Sequence, residues 1–157
     1  MRKRFGVRVV EVGNSDTIIA EGASIVAERN WLPALARPVQ IVLSDESFYT
    51  VFQERTVLNP LTCRKNVTMF CTDNRDGEAR LILAERQRAG DTSSVKTKEV
   101  INIHVNREIP KPYNHERVYV DFFVDEDLIL NIQGHSAIEQ QVQRTEVYDL
   151  CFGLRVA

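Results

Sequence analysis

Charge of one sign is not in excess: 20 lysines and arginines stand against 22 aspartates and glutamates, a formal net charge of −2. Binding carried by nucleic-acid phosphates needs a basic surplus, so no nucleic-acid partner is expected. Long apolar runs are missing as well. A membrane-spanning helix needs about 18 or more consecutive apolar residues, and charged side chains break every candidate run sooner, so no membrane partner is expected either. The basic start at Met1 leads into Val7-Arg8-Val9 rather than an apolar stretch, which is not the pattern of a secretory signal, and a cytoplasmic location is the expectation. Cysteine is scarce: Cys63, Cys71 and Cys151 are odd in number and show no CxxC spacing, so neither a disulfide framework nor a zinc site is read. Asn66-Val67-Thr68 fits the glycosylation acceptor pattern, which matters only in a secreted chain.

Catalytic patterns are equally thin. His104, His115 and His135 are spread over a strand and two loops, with no HExxH or nucleophile-elbow spacing. Gly6, Gly13 and Gly22 do not sit between a strand and a helix at the spacing of a phosphate-cradling loop. Asp121, Asp125, Glu126 and Asp127 form the one carboxylate cluster. Paired carboxylates suit a hard cation or acid–base work, and a small metal-assisted enzyme on Asp121, Asp125 and Asp127 is a minor alternative. Asp125-Glu126-Asp127 reads better as a hairpin turn, where acidic residues serve as turn formers. The expectation is a protein that is not an enzyme, with no catalytic residue, no metal ligand and no cofactor of its own.

What is present is an ordinary globular composition, 43% hydrophobic and 27% charged, in a chain of 157 residues that can bury a core without staples. Near the N-terminus, Phe5–Val12 alternates as a strand with no evident partner. Asn14-Ser15-Asp16 then offers a cap, and Ile18, Ile19, Gly22, Ala23, Val26 and Ala27 recur at helical spacing, predicting a helix over about 16–30 closed by Pro33. Residues 31–38 read as a connector between two prolines. Beyond it, short β-branched runs separated by turn residues predict an antiparallel β-sandwich, with strands near 39–43, 48–54, 66–72, 79–85, 99–105, 117–124, 128–133 and 145–155. The fold class is therefore mainly β with one N-terminal helix. The turns at Asp73–Gly77 and Asp125–Asp127 predict hairpin partners on either side. The polar segment Gln87–Lys98 and the Pro-marked Ile109–Asn114 read as loops crossing between sheets. Val39–Leu43 and Leu81–Ala84 carry apolar groups on both faces. Such strands are either covered on both sides by a loop or the helix, or form an apolar groove for an extended ligand.

Several of these segments, in order, resemble one family. Val118-Tyr119-Val120-Asp121-Phe122-Phe123-Val124-Asp125-Glu126-Asp127-Leu128-Ile129-Leu130 is similar to the hairpin of the peptide-binding sandwich of DnaK-type chaperones, the 70-kilodalton heat-shock family. Ile109-Pro110-Lys111-Pro112 looks like that family's Pro-rich crossing, and Phe70-Cys71-Thr72-Asp73-Asn74 through Leu83 like its F-S-T-A-x-D-x-Q segment and the following strand. Asp16–Ile25 resembles the helix that ends the family's nucleotide-binding domain. The match spans about residues 14–156.

The resemblance implies that residues 1–37 are the tail of a nucleotide-binding domain with a connector, and 38–157 a peptide-binding β-sandwich without a helical lid. It implies a chaperone in protein folding and the stress response, taking extended apolar segments of unfolded proteins and working with co-chaperones. ATP and magnesium would belong to the parent protein's missing ATPase domain. The peptide would be held by main-chain hydrogen bonds with one apolar side chain in a pocket lined by Ile41, Leu43, Phe70, Ala79, Leu81 and Val118, with Ser44 and Thr72-Asp73 near an arch and Cys71 beside the peptide backbone. The chain departs from the family pattern in four places. The acidic-aliphatic linker is absent as such, Ala79 replaces a larger aliphatic residue, Ser44 an apolar one, and Leu128 a turn glycine. With no lid after Ala157, fast exchange and modest affinity are expected. The alternative is a sandwich used only for interaction or dimerisation, with a homodimer formed through the N-terminal helix.

Overall fold

The computed structural model describes residues 15–86, 95–108 and 115–155, which divide into two compact units meeting in sequence between Leu32 and Pro33. Phe5–Val12, Asn14 and Ile109–Asn114 lie outside the described residues.

In the first unit, α1 runs Ser15–Glu28. It is ended by Asn30, not by Pro33. Asn30 adopts φ 50°, and its N–H donates to the Ala27 carbonyl while the Trp31 N–H donates to that of Val26. This pair of bonds satisfies carbonyls left open at the helix end, and asparagine tolerates the left-handed conformation it requires. Among the helix side chains Ile18, Ile19 and Ile25 are exposed.

Where a connector was expected there is a strand, β1, Leu32–Leu35, whose residues from Pro33 on open the second unit and which pairs with β10, Phe152–Arg155. Its other side meets the segment after the third strand. The Leu35 N–H donates to Thr56 O, Arg55 N–H to Leu35 O, and Leu58 N–H to Pro33 O. Proline has no N–H to lose and its carbonyl is used, so it is compatible with this strand. Ala34 and Leu35 are buried in return.

Two four-stranded antiparallel sheets form the body, as the alternation predicted. The remaining strands are β2 (Val39–Val42), β3 (Phe48–Phe52), β4 (Arg64–Cys71), β5 (Glu78–Arg86), β6 (Val95–His104), β7 (Glu116–Val124), β8 (Leu130–Ser136) and β9 (Gln143–Val147). One sheet is ordered β3-β2-β5-β6 and the other β4-β7-β8-β9. Strict alternation on β7 turns Val118, Val120, Phe122 and Val124 inward, where they join Ile41, Leu83, Ile101, Ile103, Leu130 and Ile132 in the core.

The connections correct three expectations. Strands β4 and β5 are not hairpin partners: β4 pairs with β7 and β5 with β2 and β6, so Asp73–Gly77 carries the chain from one sheet to the other. A tight turn fixes a reversal, but partner choice follows the apolar faces, and central β5 needs a neighbour on each edge. Gln87–Lys98 does not cross between sheets, because β5 and β6 pair in one sheet and residues 95–98 already belong to β6. The predicted strand 145–155 is broken into β9 and β10. In the gap, the Lys98 ammonium donates to the Asp149 carbonyl at 2.9 Å and its carboxylate at 2.8 Å. Lys98 also lies 3.2 Å from Glu85, and both side chains are only 7% exposed. A buried ion pair requires such extra partners, and 149 provides them instead of continuing the ladder.

The Asp125–Asp127 hairpin joins β7 to β8 as expected. Asp125 accepts from the N–H groups of Asp127 and Ile129 and from the Asn131 amide. Leu128 takes the turn's left-handed position at φ 61°. The second apolar face of β2 and β5 is the outer face of their sheet, where cross-strand pairing aligns Phe48, Val42, Ile82 and Val100 in a row. Among the described residues, no helix is long and apolar enough to cross a membrane.

Candidate functional site

At one end of the sandwich, the turn after β2 and the turn after β4 stand on opposite sides of a cleft of about 660 Å³. Ile41, Leu81, Ile103, Val67 and Val118 form its buried apolar floor, and Leu43, Met69 and Ala79 are half-buried around it. Inward alternation explains each position. On β2 and its extension the inward row is Ile41 and Leu43, on β5 Ala79 and Leu81, on β7 Val118.

All eight residues singled out in the sequence, Ile41, Leu43, Ser44, Phe70, Cys71, Ala79, Leu81 and Val118, line this one cleft, as do Thr72 and Asp73. Their roles within it differ from the expectation at β4. Val67, Met69 and Cys71 share the inward face, whereas Phe70 belongs to the outer face, 57% exposed and with the Arg117 guanidinium 5.9 Å from its ring centre. Phe70 therefore borders the cleft, and Met69 occupies the inward place beside it. Ser44 is exposed at the rim. Cys71 is buried, and its thiol donates to the Asp73 carbonyl at 3.0 Å. Burial pushes this thiol's pKa up, the Asp73 carbonyl opposes, and the negative charges of Glu116 and Asp73 add to the rise, so it stays protonated at neutral pH.

Sequence reasoning missed Val67, Met69, Tyr49, Ile103 and the acidic rim. The signal existed for Val67 and Met69: Val67-Thr68-Met69-Phe70-Cys71 has apolar residues in two phases, and the phase shared by Val67, Met69 and Cys71 is the one with three members. Tyr49 is on β3, the outer strand of its sheet, and lies 5.1 Å from the Lys65 ammonium, which also reaches the Thr50 carbonyl at 3.4 Å. Lys65 thus ties the two edge strands β3 and β4 together. The far edge of β4 is paired with no strand among the described residues.

Four carboxylates, Asp45, Asp73, Asp76 and Glu78, line the cleft against one arginine, Arg80. Asp45 is held below the usual carboxylate range by the Ser47 hydroxyl at 2.5 Å and the Ser47 N–H at 3.0 Å. Asp73 is pulled down to about 2 by its hydrogen bonds with the Arg75 side chain and N–H. Both turns are thereby stiffened. The Leu43 N–H donates to Ser47 O and the Glu46 N–H to Leu43 O on one side. On the other, Gly77 at φ 75° donates to Asn74 O and accepts from Val105 N–H.

The other candidates are placed elsewhere. His104 and His115 are exposed, and the His135 ring stacks at 5.3 Å on Tyr119. Asp125 is consumed by the hairpin. Burial works to raise it, but the Ile129 N–H, the Asn131 amide and the Asp127 N–H outweigh that and hold it below its ordinary value. Asp121 faces Arg64 at 3.9 Å. Among the described residues no group of three or more His, Cys, Asp or Glu is arranged to hold a metal ion. No protein-family model matches the chain, and no curated protein does.

Proposed function

We propose that the cleft binds extended apolar segments of unfolded proteins, as the substrate-binding part of a DnaK-type chaperone. The observation that carries the reading is the convergence of the eight residues of the resemblance on one apolar cleft, beside a strand edge with unused main-chain groups. An extended segment satisfies both features at once. Its backbone pairs along the β4 edge, and one side chain enters the pocket over Ile41, Leu81 and Val118. Folded proteins hide both their backbone and their aliphatic side chains, so the same geometry discriminates against them. The acidic rim favours segments with lysine or arginine beside the apolar residue and disfavours acidic ones. ATP, magnesium and co-chaperones belong to the rest of such a chaperone, and the work of this unit is capture, without chemistry.

The test is fluorescence anisotropy with a labelled Leu-rich heptapeptide, on the wild type and on Leu43→Asp and Ala79→Trp, both at half-buried positions around the cleft. Saturable binding that is lost in both folded variants supports the reading. Absence of binding by the folded wild type removes it.

A second reading, an interaction module without peptide capture, is favoured by α1, where Ile19 is 72% exposed and Ile18 and Ile25 are exposed beside it. It predicts a concentration-dependent dimer in sedimentation velocity that Ile19→Glu abolishes.

A further inference from the structure

We propose that the cleft selects segments with an aromatic side chain at the central position, and that Ala79 is the residue that sets this preference. The inference rests on the peptide-binding reading and names the class of substrate. On β5, Leu81 is buried, whereas Ala79, one step nearer the cleft mouth in the same inward row, is half-buried and ends at its methyl group. Its cross-strand partner Ile103 is fully buried in the cleft floor. Leu43 and Met69 pack on the core and are still partly open, so the pocket mouth keeps room that a branched residue at 79 would occupy.

An incoming leucine leaves part of that wall without partner atoms, and each missing contact forfeits attraction. A phenylalanine or tryptophan ring brings the larger area needed. The chemistry of the wall points the same way. Met69 lines the cleft half-buried and brings a thioether side chain, a soft group that contacts ring edges favourably. The unbranched Met69 side chain can also re-seat around rings of different size.

The experiment compares heptapeptides identical except for a central Leu, Phe or Trp, each with flanking lysines, by anisotropy on the wild type and on Ala79→Leu. On the wild type, the Phe and Trp peptides should bind about two- to tenfold tighter than the Leu peptide, the size of a sulfur–aromatic contact. In Ala79→Leu the Phe and Trp peptides should lose more affinity than the Leu peptide, so that the preference reverses. Equal or tighter binding of Leu by the wild type overturns the inference and leaves the peptide reading standing, as does an unchanged ratio in Ala79→Leu. Failure of all three peptides to bind the folded wild type removes both. Should Ala79→Leu not fold, Ala79→Val takes its place in the same comparison.

Discussion

Gly134 on β8 faces the core, and its environment makes a quantitative test of the packing beneath the cleft. A Cβ added there would lie 2.4 Å from Ile103 Cδ1 and 3.0 Å from its Cγ1. Carbon atoms rest at about 3.5–4.0 Å, so the isoleucine must withdraw by an ångström or more. Ile103 is fully buried, and the open space it borders is the cleft itself. Overpacking of this kind costs about 1–3 kcal/mol, which is the predicted loss for Gly134→Ala. Ile103→Val alone removes the clashing methyl and should cost about 0.5–1.5 kcal/mol. In the double variant the added methyl takes up room that the deleted one vacates, so the two losses should overlap by about 1 kcal/mol, a coupling within the range of contacting residues. Urea unfolding of the four proteins, read as midpoint shifts at constant slope, measures each quantity. A Gly134→Ala loss below about 0.5 kcal/mol, typical of a surface change, would refute the reasoning. So would strict additivity in the double variant.

Glu46 adopts φ 63° in the turn beside the cleft, so Glu46→Gly should stabilise by up to about 1 kcal/mol in thermal or urea unfolding, whereas Leu128→Gly should gain less because Leu128 also packs on the core. Lys98→Met removes one of the partners of Glu85, which keeps Arg37 at 3.6 Å and the Cys151 thiol, and should cost about 1.5–3 kcal/mol by the same assay. The Lys98 pKa is pushed down by burial but raised more by Asp149 and Glu85, so its net position is above the ordinary value. Its contribution is therefore complete below the unfolded lysine pKa of about 10.4 and fades as pH rises from there through the folded value; unfolding followed upward from about pH 10 should show a loss absent from Lys98→Met. Asp73 is displaced the other way, to about 2, so what it contributes is present above the unfolded value and is lost as pH falls toward 2. Arg75→Ala should return the Asp73 resonance toward ordinary aspartate titration in an NMR pH series.

The sandwich was legible because its strands alternate cleanly. Val118, Val120, Phe122 and Val124 announce an inward face, and the Asp125 turn announces its hairpin. Strand partnership was less legible, since Asp73–Gly77 carries the same turn chemistry whether the chain returns to its neighbour or changes sheets. β1 was hidden by Pro33, which reads as a breaker until its carbonyl is seen to accept from Leu58. The split of 145–155 depends on Lys98, about fifty positions away, and no local pattern encodes such a partner. The order of the motifs, more than their periodicity, marks the cleft residues, so all eight border the cleft although Phe70 stands on the outer face of β4. The rim carboxylates look like ordinary turn formers until the two turns are brought face to face.

The most direct test of the cleft as a binding site is an amide NMR titration of the isotope-labelled protein with an unlabelled, Lys-flanked apolar heptapeptide. The account predicts saturable shifts concentrated at Leu43–Ser47, Val67–Asp73 and Glu78–Leu81, with Gln133, Arg144 and Glu146 on the outer face of β8 and β9 unmoved. Shifts centred on that outer face or on α1, with the cleft amides silent, would contradict it.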